Sequence, residues 1–243
     1  MHSQENERYW EGWNSDYSKV WRSRGRQEMS KRELSFIKDA ISKRNPQRIL
    51  DIGVGNGRIL DSIIGYSEGQ TEIYGLDISQ QMVEICKEKF KNEIKIRQIS
   101  VCDLSEESIP FDGLFDFATS IRVLKYNEKW REMIKKVYVA LNPKGVYIFT
   151  IPNRLSISGL SGDTFSEKNL PIIYSSHAEL RKVLRQVGFS RVDFQAFSKM
   201  PNFLYHICEN VWYVRSLLFI EKSLEVLLGK SFLGRELFVK CVK

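Results

Sequence analysis

The sequence predicts an α/β fold with a seven-stranded, mainly parallel sheet and helices on both faces of that sheet. Short apolar runs rich in β-branched residues alternate with helix-period patterns through most of the chain. Several of these runs are apolar throughout, which is typical of strands that are covered on both faces. The predicted strands cover residues 48–52, 71–77, 94–99, 115–120, 145–151, 191–196 and 237–242.

Two of the helices between these strands have clear sequence signals. One apolar stripe follows the helical spacing after a predicted N-cap at Asn127, and its members are Trp130, Met133, Ile134, Val137 and Leu141. A second helix begins with a capping box of Ser176 and Glu179 and ends at Gly188. Residues 141–145 are predicted to form a turn. Strands that alternate with helices in this way indicate βαβ units.

Length and composition exclude several classes of protein. The 243 residues suit one large domain, and 42% hydrophobic with 12% aromatic residues excludes intrinsic disorder. Four widely spaced cysteines without a C-x-x-C pair exclude a disulfide scaffold and suit a reducing compartment. No apolar run approaches the roughly 18 residues of a transmembrane helix, and the polar, acidic N-terminus does not resemble a signal peptide. We therefore expect a soluble, cytoplasmic protein.

The formal net charge of +7 is carried mainly by the two ends of the chain. The densest basic stretch lies within residues 19–32, where Glu28 is the single acidic residue. Such a stretch suits an anionic substrate, nucleic acid or a membrane surface, and it equally suits a solvated helix face.

Three segments fall outside the alternation of strands and helices. Residues 1–45 are predicted to form an N-terminal helical cap, which leaves residues 46–243 as the main domain. Residues 152–175 read as a long loop. Residues 201–229 form a very apolar helical insertion before the last strand. We expect these segments to supply the substrate pocket, because the regular alternation is used for the fold.

The most informative motif follows the first predicted strand. Asp51 precedes three alternating glycines, Gly53, Gly55 and Gly57, and a helical pattern begins directly after them. Glycines here let a ligand approach the backbone, and the helix start offers free N–H groups. The dinucleotide fingerprint G-x-G-x-x-G/A would require Gly or Ala at position 58, where this chain has Arg58. The loop therefore predicts a nucleotide-like ligand other than a dinucleotide.

The D-x-G-x-G-x-G spacing resembles motif I of the class I S-adenosylmethionine-dependent methyltransferases, which have a Rossmann-like fold. The resemblance spans about residues 45–197 and is nearest to the small-molecule branch, which includes the methyltransferase type 11 enzymes of ubiquinone and menaquinone biosynthesis and sugar methyltransferases. It implies S-adenosylmethionine as cofactor and S-adenosylhomocysteine as product. The carboxylate of Asp51 is complementary to the cationic α-amino and sulfonium groups of that ligand.

Further positions match the motifs of this family in order along the chain. By resemblance, Asp77 at the end of the second strand accepts both ribose hydroxyls, with Ile78 beside it. Asp103 and Leu104 follow the third strand, where the family binds adenine. Ser120 ends the fourth strand beside the reacting centre. After this strand many relatives carry a histidine base, which is absent here, and neither a [DN]-P-P-[YF] motif nor a Pro-Cys nucleophile is present.

The acceptor side of the site is less defined by sequence. Candidate bases are Tyr126, His206 and His177, which is the first residue of a capped helix, where the dipole favours a neutral imidazole. Candidate substrate contacts are Tyr17, Trp21, Arg122, His206 and Trp212. The 201–229 insertion is expected to be a lid, a homodimer surface or a peripheral membrane contact. Three histidines and four scattered cysteines argue against a metal site.

The sequence thus predicts methyl transfer from S-adenosylmethionine to an oxygen or nitrogen atom of a small-molecule acceptor, by in-line displacement. Two alternatives remain open. The basic flanks suit an RNA methyltransferase, although the motifs make nucleic acid the less favoured acceptor. A module that binds the cofactor and a partner without catalysis is the other.

Overall fold

In the computed structural model, residues 8–11, 23–156, 172–199, 204, 210–229 and 233–243 are described, and all structural statements below concern these residues. Their strands form one sheet of seven, as the sequence predicts. The strands are β1 (Arg48–Ile52), β2 (Glu72–Asp77), β3 (Ile96–Val101), β4 (Phe115–Ser120), β5 (Leu141–Pro152), β6 (Arg191–Phe197) and β7 (Glu236–Val242).

The order of strands across the sheet is β3-β2-β1-β4-β5-β7-β6. The pairs formed among β1 to β5 are parallel, whereas β7 runs antiparallel to both of its neighbours, β5 and β6. The chain leaves β1 towards β2 and β3, and then returns to place β4 on the other side of β1. Ligands of open α/β sheets bind beyond the carboxyl ends of the strands at such a reversal. We therefore expect a ligand site between the loops that follow β1 and β4.

Helices cover both faces of the sheet, which confirms the predicted architecture. They are α1 (Arg24–Ser42), α2 (Arg58–Tyr66), α3 (Gln80–Lys89), α4 (Trp130–Ala140), α5 (His177–Val187) and α6 (Val211–Leu228). One buried cluster joins the sheet to α4 and α5 through residues such as Trp130 and Leu180. The other joins it to α1, α2 and α3 through Ile37, Ile63 and Val83. Burial of these apolar stripes on either side is the main source of stability.

Helix α5 has its N-cap at Ser176 and ends at Gly188, as the sequence predicts. The Ser176 Oγ accepts a hydrogen bond from the Glu179 backbone N–H at 3.2 Å. Gly188 ends the helix with a φ of 119°, a left-handed conformation that glycine adopts without a steric penalty. In a full capping box the Glu179 carboxylate would accept from the Ser176 backbone N–H. Here it accepts from the Ser175 hydroxyl at 2.9 Å.

Two local predictions need correction. Helix α4 begins at Trp130, and Asn127 is not its N-cap. Instead Asn127 ends a single 3₁₀ turn (Leu124–Tyr126), and its side chain accepts from the Lys129 N–H at 2.8 Å. The turn predicted at residues 141–145 is the irregular start of β5, where Lys144 has a φ of 65°.

The segments outside the alternation are partly described. In the predicted N-terminal cap, residues 8–11 form a helical turn and α1 buries Ile37 and Ile41 against the sheet. In the predicted insertion, α6 is helical over Val211–Leu228. Most of the 152–175 loop lies outside the described residues, although Asn153 pairs with Ser175 where its two ends meet. In the described part of the chain, no helix is long and apolar enough to cross a membrane.

Candidate functional site

The loop after β1 turns sharply because all three of its motif glycines have positive φ: 75° at Gly53, 51° at Gly55 and 78° at Gly57. A Cβ at Gly53 would lie 2.3 Å from a methyl group of Val123, and one at Gly57 would lie 2.4 Å from the Phe90 ring. These two glycines therefore serve close packing of the loop as well as its conformation. Gly55 faces the cleft that the loop borders.

The carboxylate of Asp77 fixes this loop from the end of the neighbouring strand. Its Oδ2 accepts a hydrogen bond from the Gly55 N–H at 2.8 Å, and its Oδ1 accepts from the Ser79 N–H at 3.0 Å. Burial raises the pKa of Asp77, and the backbone N–H groups of Ser79, Gly55 and Ile78 oppose that rise. Each carboxylate oxygen has a second lone pair, so the group can also accept from a ligand diol.

An open cleft lies beyond the carboxyl ends of β1, β2 and β4, and we call it the central cleft. The empty space in and in front of this cleft, open solvent included, is about 740 Å³. Its lining is Trp10, Ile52, Gly53, Gly55, Leu76, Asp77, Ile78, Met82, Cys102, Asp103, Leu104, Ile121, Arg122, Val123, Tyr126, Asn127 and Met133. Six of the nine residues that the resemblance assigns to the cofactor are in this set: Gly53, Gly55, Asp77, Ile78, Asp103 and Leu104.

One end of the central cleft is an apolar slot with an acidic edge. Leu104 and Met133 are buried there, and Ile78 is half-buried. The Asp103 Oδ1 accepts from the Ser105 N–H at 3.0 Å and from the Ser105 hydroxyl at 2.7 Å, which orients the carboxylate. Apolar walls with one oriented acceptor suit a flat heterocycle that carries an amino group.

The other end is formed by the segment after β4 and by the helical turn at residues 8–11. The Trp10 ring meets the Tyr126 ring edge to face, with centroids 5.3 Å apart. Arg122 has a φ of 65°, and its N–H donates to the Thr150 hydroxyl at 2.7 Å. A left-handed conformation at a non-glycine residue is strained, so the surrounding contacts hold Arg122 at the wall of the cleft.

A buried ion-pair network supports this wall. The Glu33 carboxylate of α1 is 2% exposed and pairs with Arg122 and, at 3.0 Å, with Arg58 at the start of α2. Arg122 also lies 3.5 Å from the Glu236 carboxylate. Burial would raise the pKa of Glu236, but Arg122 and Lys125 hold it below its usual value. The network connects α1 and β7 to the two loops that border the central cleft.

Three residues assigned to the cofactor by resemblance do not line the central cleft. Gly57 packs against Phe90, as described above. Asp51 is buried and accepts from the Thr119 hydroxyl at 2.5 Å. Burial raises the pKa of Asp51 to about 7. The hydroxyl of Ser120 is directed to the Tyr147 hydroxyl, 2.5 Å away. Asp51 and Ser120 are thus buried residues outside the cleft lining.

The structure also separates the candidates for the acceptor side. Tyr126 and Arg122 line the central cleft. His177 is not part of that lining, and its ring packs on the Phe194 ring with centroids 5.1 Å apart. Trp212 is 74% exposed on α6, away from the cleft lining. Tyr17, Trp21 and His206 lie outside the described residues.

Several residues of the cleft lining have no signal in a single sequence. Met82 and Met133 have helical apolar spacing, which is the signal of ordinary core residues. Trp10 belongs to the aromatic N-terminal segment, so composition indicated its region but not its position. Its contact with Tyr126 joins residues more than 100 positions apart.

Comparison with known proteins supports the family resemblance. Residues 49–145, from β1 into β5, match the family model described as methyltransferase domain. The ubiquinone/menaquinone biosynthesis C-methyltransferase UbiE of Wigglesworthia glossinidia brevipalpis is 27% identical over 177 residues, which are 62% of this chain and 70% of that protein. The match to YqeM of Bacillus subtilis, at 29% identity over 132 residues, covers 52% of this chain and 51% of that protein. The chain thus spans about half the length of this relative.

Solved structures show the same fold. A SAM-dependent methyltransferase from Thermotoga maritima superposes with a TM-score of 0.65 at 16% identity, over 100% of both chains. A phosphoethanolamine N-methyltransferase from Haemonchus contortus, in complex with S-adenosylmethionine, has a TM-score of 0.58 at 18% identity, over 85% of this chain and 52% of that chain. At these identities the superpositions support the architecture alone.

Proposed function

The chain belongs to the class I S-adenosylmethionine-dependent methyltransferases, and we propose that it transfers a methyl group from S-adenosylmethionine to an oxygen or nitrogen atom of a small-molecule acceptor. The observation that carries this proposal is the convergence of Gly55, Asp77, Asp103 and Tyr126 on one cleft at the reversal point of the sheet. Residues 1–45 would act as the cap of this site, and residues 46–243 as the catalytic domain.

The residues of the central cleft fit the cofactor. Asp77 supplies two carboxylate oxygens for the ribose hydroxyls, and Gly55 offers its backbone without a Cβ. The apolar slot beside Asp103 and Leu104 suits adenine, with the Asp103 carboxylate as acceptor for its amino group. Asp51, Ser120 and Gly57, outside the cleft lining, would support these contacts, and a bound cationic ligand would favour the ionised form of Asp51.

When bound, S-adenosylmethionine supplies a sulfonium-activated methyl group, which an acceptor lone pair displaces in line. The remaining task of the protein is to align the acceptor and exclude water, which can supply much of the rate enhancement. We assign this task to Tyr126, Arg122 and Trp10 at the other end of the central cleft. In its phenolate form Tyr126 would accept the proton that an acceptor hydroxyl or ammonium group releases and would become the neutral phenol. His177 and Trp212 are not needed for this step.

A small-molecule acceptor suits this end of the cleft better than RNA does. Trp10 and Tyr126 pack ring against ring in the same cleft lining as Arg122, and the charge of Arg122 is neutralised by Glu33 and Glu236. A site for a nucleic-acid backbone would instead present unneutralised cations. The contacts of Arg122 therefore favour a small-molecule acceptor over RNA.

The test is an acceptor screen with methyl-labelled S-adenosylmethionine. Fractionated metabolites, lipids and RNA are each incubated with the wild-type chain, with Asp77→Ala and with Tyr126→Phe. The proposal requires label in a metabolite or lipid fraction, loss of that label with Asp77→Ala, and slower transfer with unchanged donor affinity for Tyr126→Phe. Label in RNA alone would overturn the acceptor class. Donor binding without transfer to any fraction would instead indicate a non-catalytic module.

A further inference from the structure

The side of α6 that faces solvent carries a large share of the exposed apolar residues of the protein. Half of the ten large hydrophobic residues exposed in the described part of the chain lie on this helix: Trp212, Phe219, Ile220, Val226 and Leu227. The first, second and fourth of these are spaced by seven residues, and the other two form a second line with the same spacing. Residues seven apart share one side of a helix, so the five lie on the same side of α6 in two lines. Between the lines are the exposed Ser216 and Ser223, whose hydroxyls donate to the carbonyls of Trp212 and Phe219 and so need no other partner. Soluble surfaces that are not used for binding seldom carry such a patch.

The charged residues of α6 are divided by sign between its two sides. Glu221 and Glu225 point inward and pair with Arg32 of α1, the second pair at 2.7 Å. Arg215 and Lys222, again seven residues apart, are both exposed at the edge of the apolar face. The Arg215 guanidinium lies 5.5 Å from the centre of the Trp212 ring. The exposed side of this helix therefore combines apolar side chains with positive charge and carries no acidic residue.

We propose that the exposed face of α6 binds the surface of an anionic lipid bilayer, with the helix lying in the plane of the interface. Helices that bind in this way combine Trp, Phe and Leu on the buried face with Lys and Arg at its edges. The long Arg215 and Lys222 side chains can reach lipid phosphates while the apolar face enters the acyl boundary. At 18 residues α6 is about 27 Å long, and it does not meet the criteria for a membrane-spanning helix.

Charge favours a bilayer over a second copy of the chain. In a two-fold dimer the same face meets itself. Arg215 and Lys222 would then find no acidic partner on the facing α6, because both of its acidic residues are paired with Arg32. An anionic leaflet supplies the missing negative charge and attracts basic residues near its surface.

Contacts on the inward side of α6 fix the orientation of the helix on the protein. Glu221 is 1% exposed and accepts from the Lys199 N–H at 2.5 Å in addition to its pair with Arg32. Val214 and Leu217 are buried beneath the same side. These contacts hold α6 on the protein in water, so its apolar face is already oriented outward. Bilayer binding through α6 does not depend on methyl transfer.

The test is flotation of the full chain with vesicles of phosphatidylcholine alone or with 30% phosphatidylglycerol. We expect binding to the anionic vesicles only. Arg215→Glu with Lys222→Glu should weaken vesicle binding by about 30-fold or more, because each basic residue near an anionic membrane surface contributes about fivefold to the affinity. Trp212→Ala with Phe219→Ala should weaken it by at least tenfold. The matched controls, Lys87→Glu with Lys135→Glu and Ile94→Ala with Val139→Ala, change exposed residues on other elements and should stay within threefold.

Circular dichroism and donor titration separate this inference from the proposed function. All variants should keep the wild-type spectrum and donor affinity, because their side chains are exposed and outside the central cleft. Absence of binding to anionic vesicles, or equal loss in the control variants, would overturn the proposal. So would a wild-type dimer in light scattering that Trp212→Ala with Phe219→Ala converts to monomers, since the face would then belong to a second copy.

Discussion

The Asp77 carboxylate accepts a hydrogen bond from the Gly55 N–H at 2.8 Å, which joins the end of β2 to the middle of the glycine loop. Both residues also line the central cleft. The same carboxylate that shapes the loop is therefore available to a ligand that the loop receives. The role proposed for Asp77 would couple donor binding to loop geometry through this one contact.

Replacing Asp77 tests its role towards the donor. Asp77→Ala should weaken S-adenosylmethionine binding by about 1–3 kcal/mol, because charge-assisted hydrogen bonds to the ligand are lost. Titration calorimetry measures this change. Asp61→Ala removes an exposed carboxylate from α2 and serves as the control. Equal donor affinities for Asp77→Ala and the wild type, with the fold intact, would contradict the assignment.

A side chain at position 55 should block the donor. Gly55→Val places a branched group in the central cleft at a residue with a φ of 51°, so donor binding should be lost while the sheet stays folded. Gly69→Ala is the control, since a Cβ there meets no atom within 4 Å. Tight donor binding by Gly55→Val in the same calorimetric assay would show that the ligand does not approach this loop.

Removing the charge of Glu33 should destabilise the protein. Glu33→Gln removes the carboxylate charge that Arg58 and Arg122 share, and charge-assisted hydrogen bonds of this kind typically contribute about 1.5–3 kcal/mol. Arg122 keeps its pair with Glu236. Glu88→Gln removes one partner of an exposed pair with Lys91 and should cost less than about 1 kcal/mol. Urea unfolding compares the two variants. A similar small loss for both would mean that the buried network contributes little.

The raised pKa of Asp51 predicts a pH dependence of stability. In the folded protein the carboxyl binds a proton up to pH of about 7, whereas in the unfolded chain it releases it near 3.8. The folded state thus binds more protons between these values, and stability should fall as pH rises from about 4 to 7, by up to about 4 kcal/mol. Unfolding measured against Asp51→Asn isolates this effect. A pH-independent difference between the two proteins would contradict it.

The fold and the position of the glycine loop could be predicted from the sequence because their signals are local. Asp51, the three glycines and Asp77 lie at strand ends that hydrophobic patterning identifies, and the family spacing gives them roles. The wall near Arg122 could not be predicted, because its pairing with Glu33 joins residues 89 positions apart. The exposure of Trp212 on α6 could not be predicted either, because an apolar helix pattern does not reveal which face of the helix packs on the protein.

The donor site is tested most directly by titrating S-adenosylhomocysteine into the wild-type chain, with NAD in a parallel titration. We expect one S-adenosylhomocysteine per chain, displaced by S-adenosylmethionine, and no binding of NAD, since Arg58 stands where the dinucleotide fingerprint requires a small residue. Tighter binding of NAD, or no binding of S-adenosylhomocysteine by the folded protein, would contradict the assignment of the central cleft as a methyl-donor site.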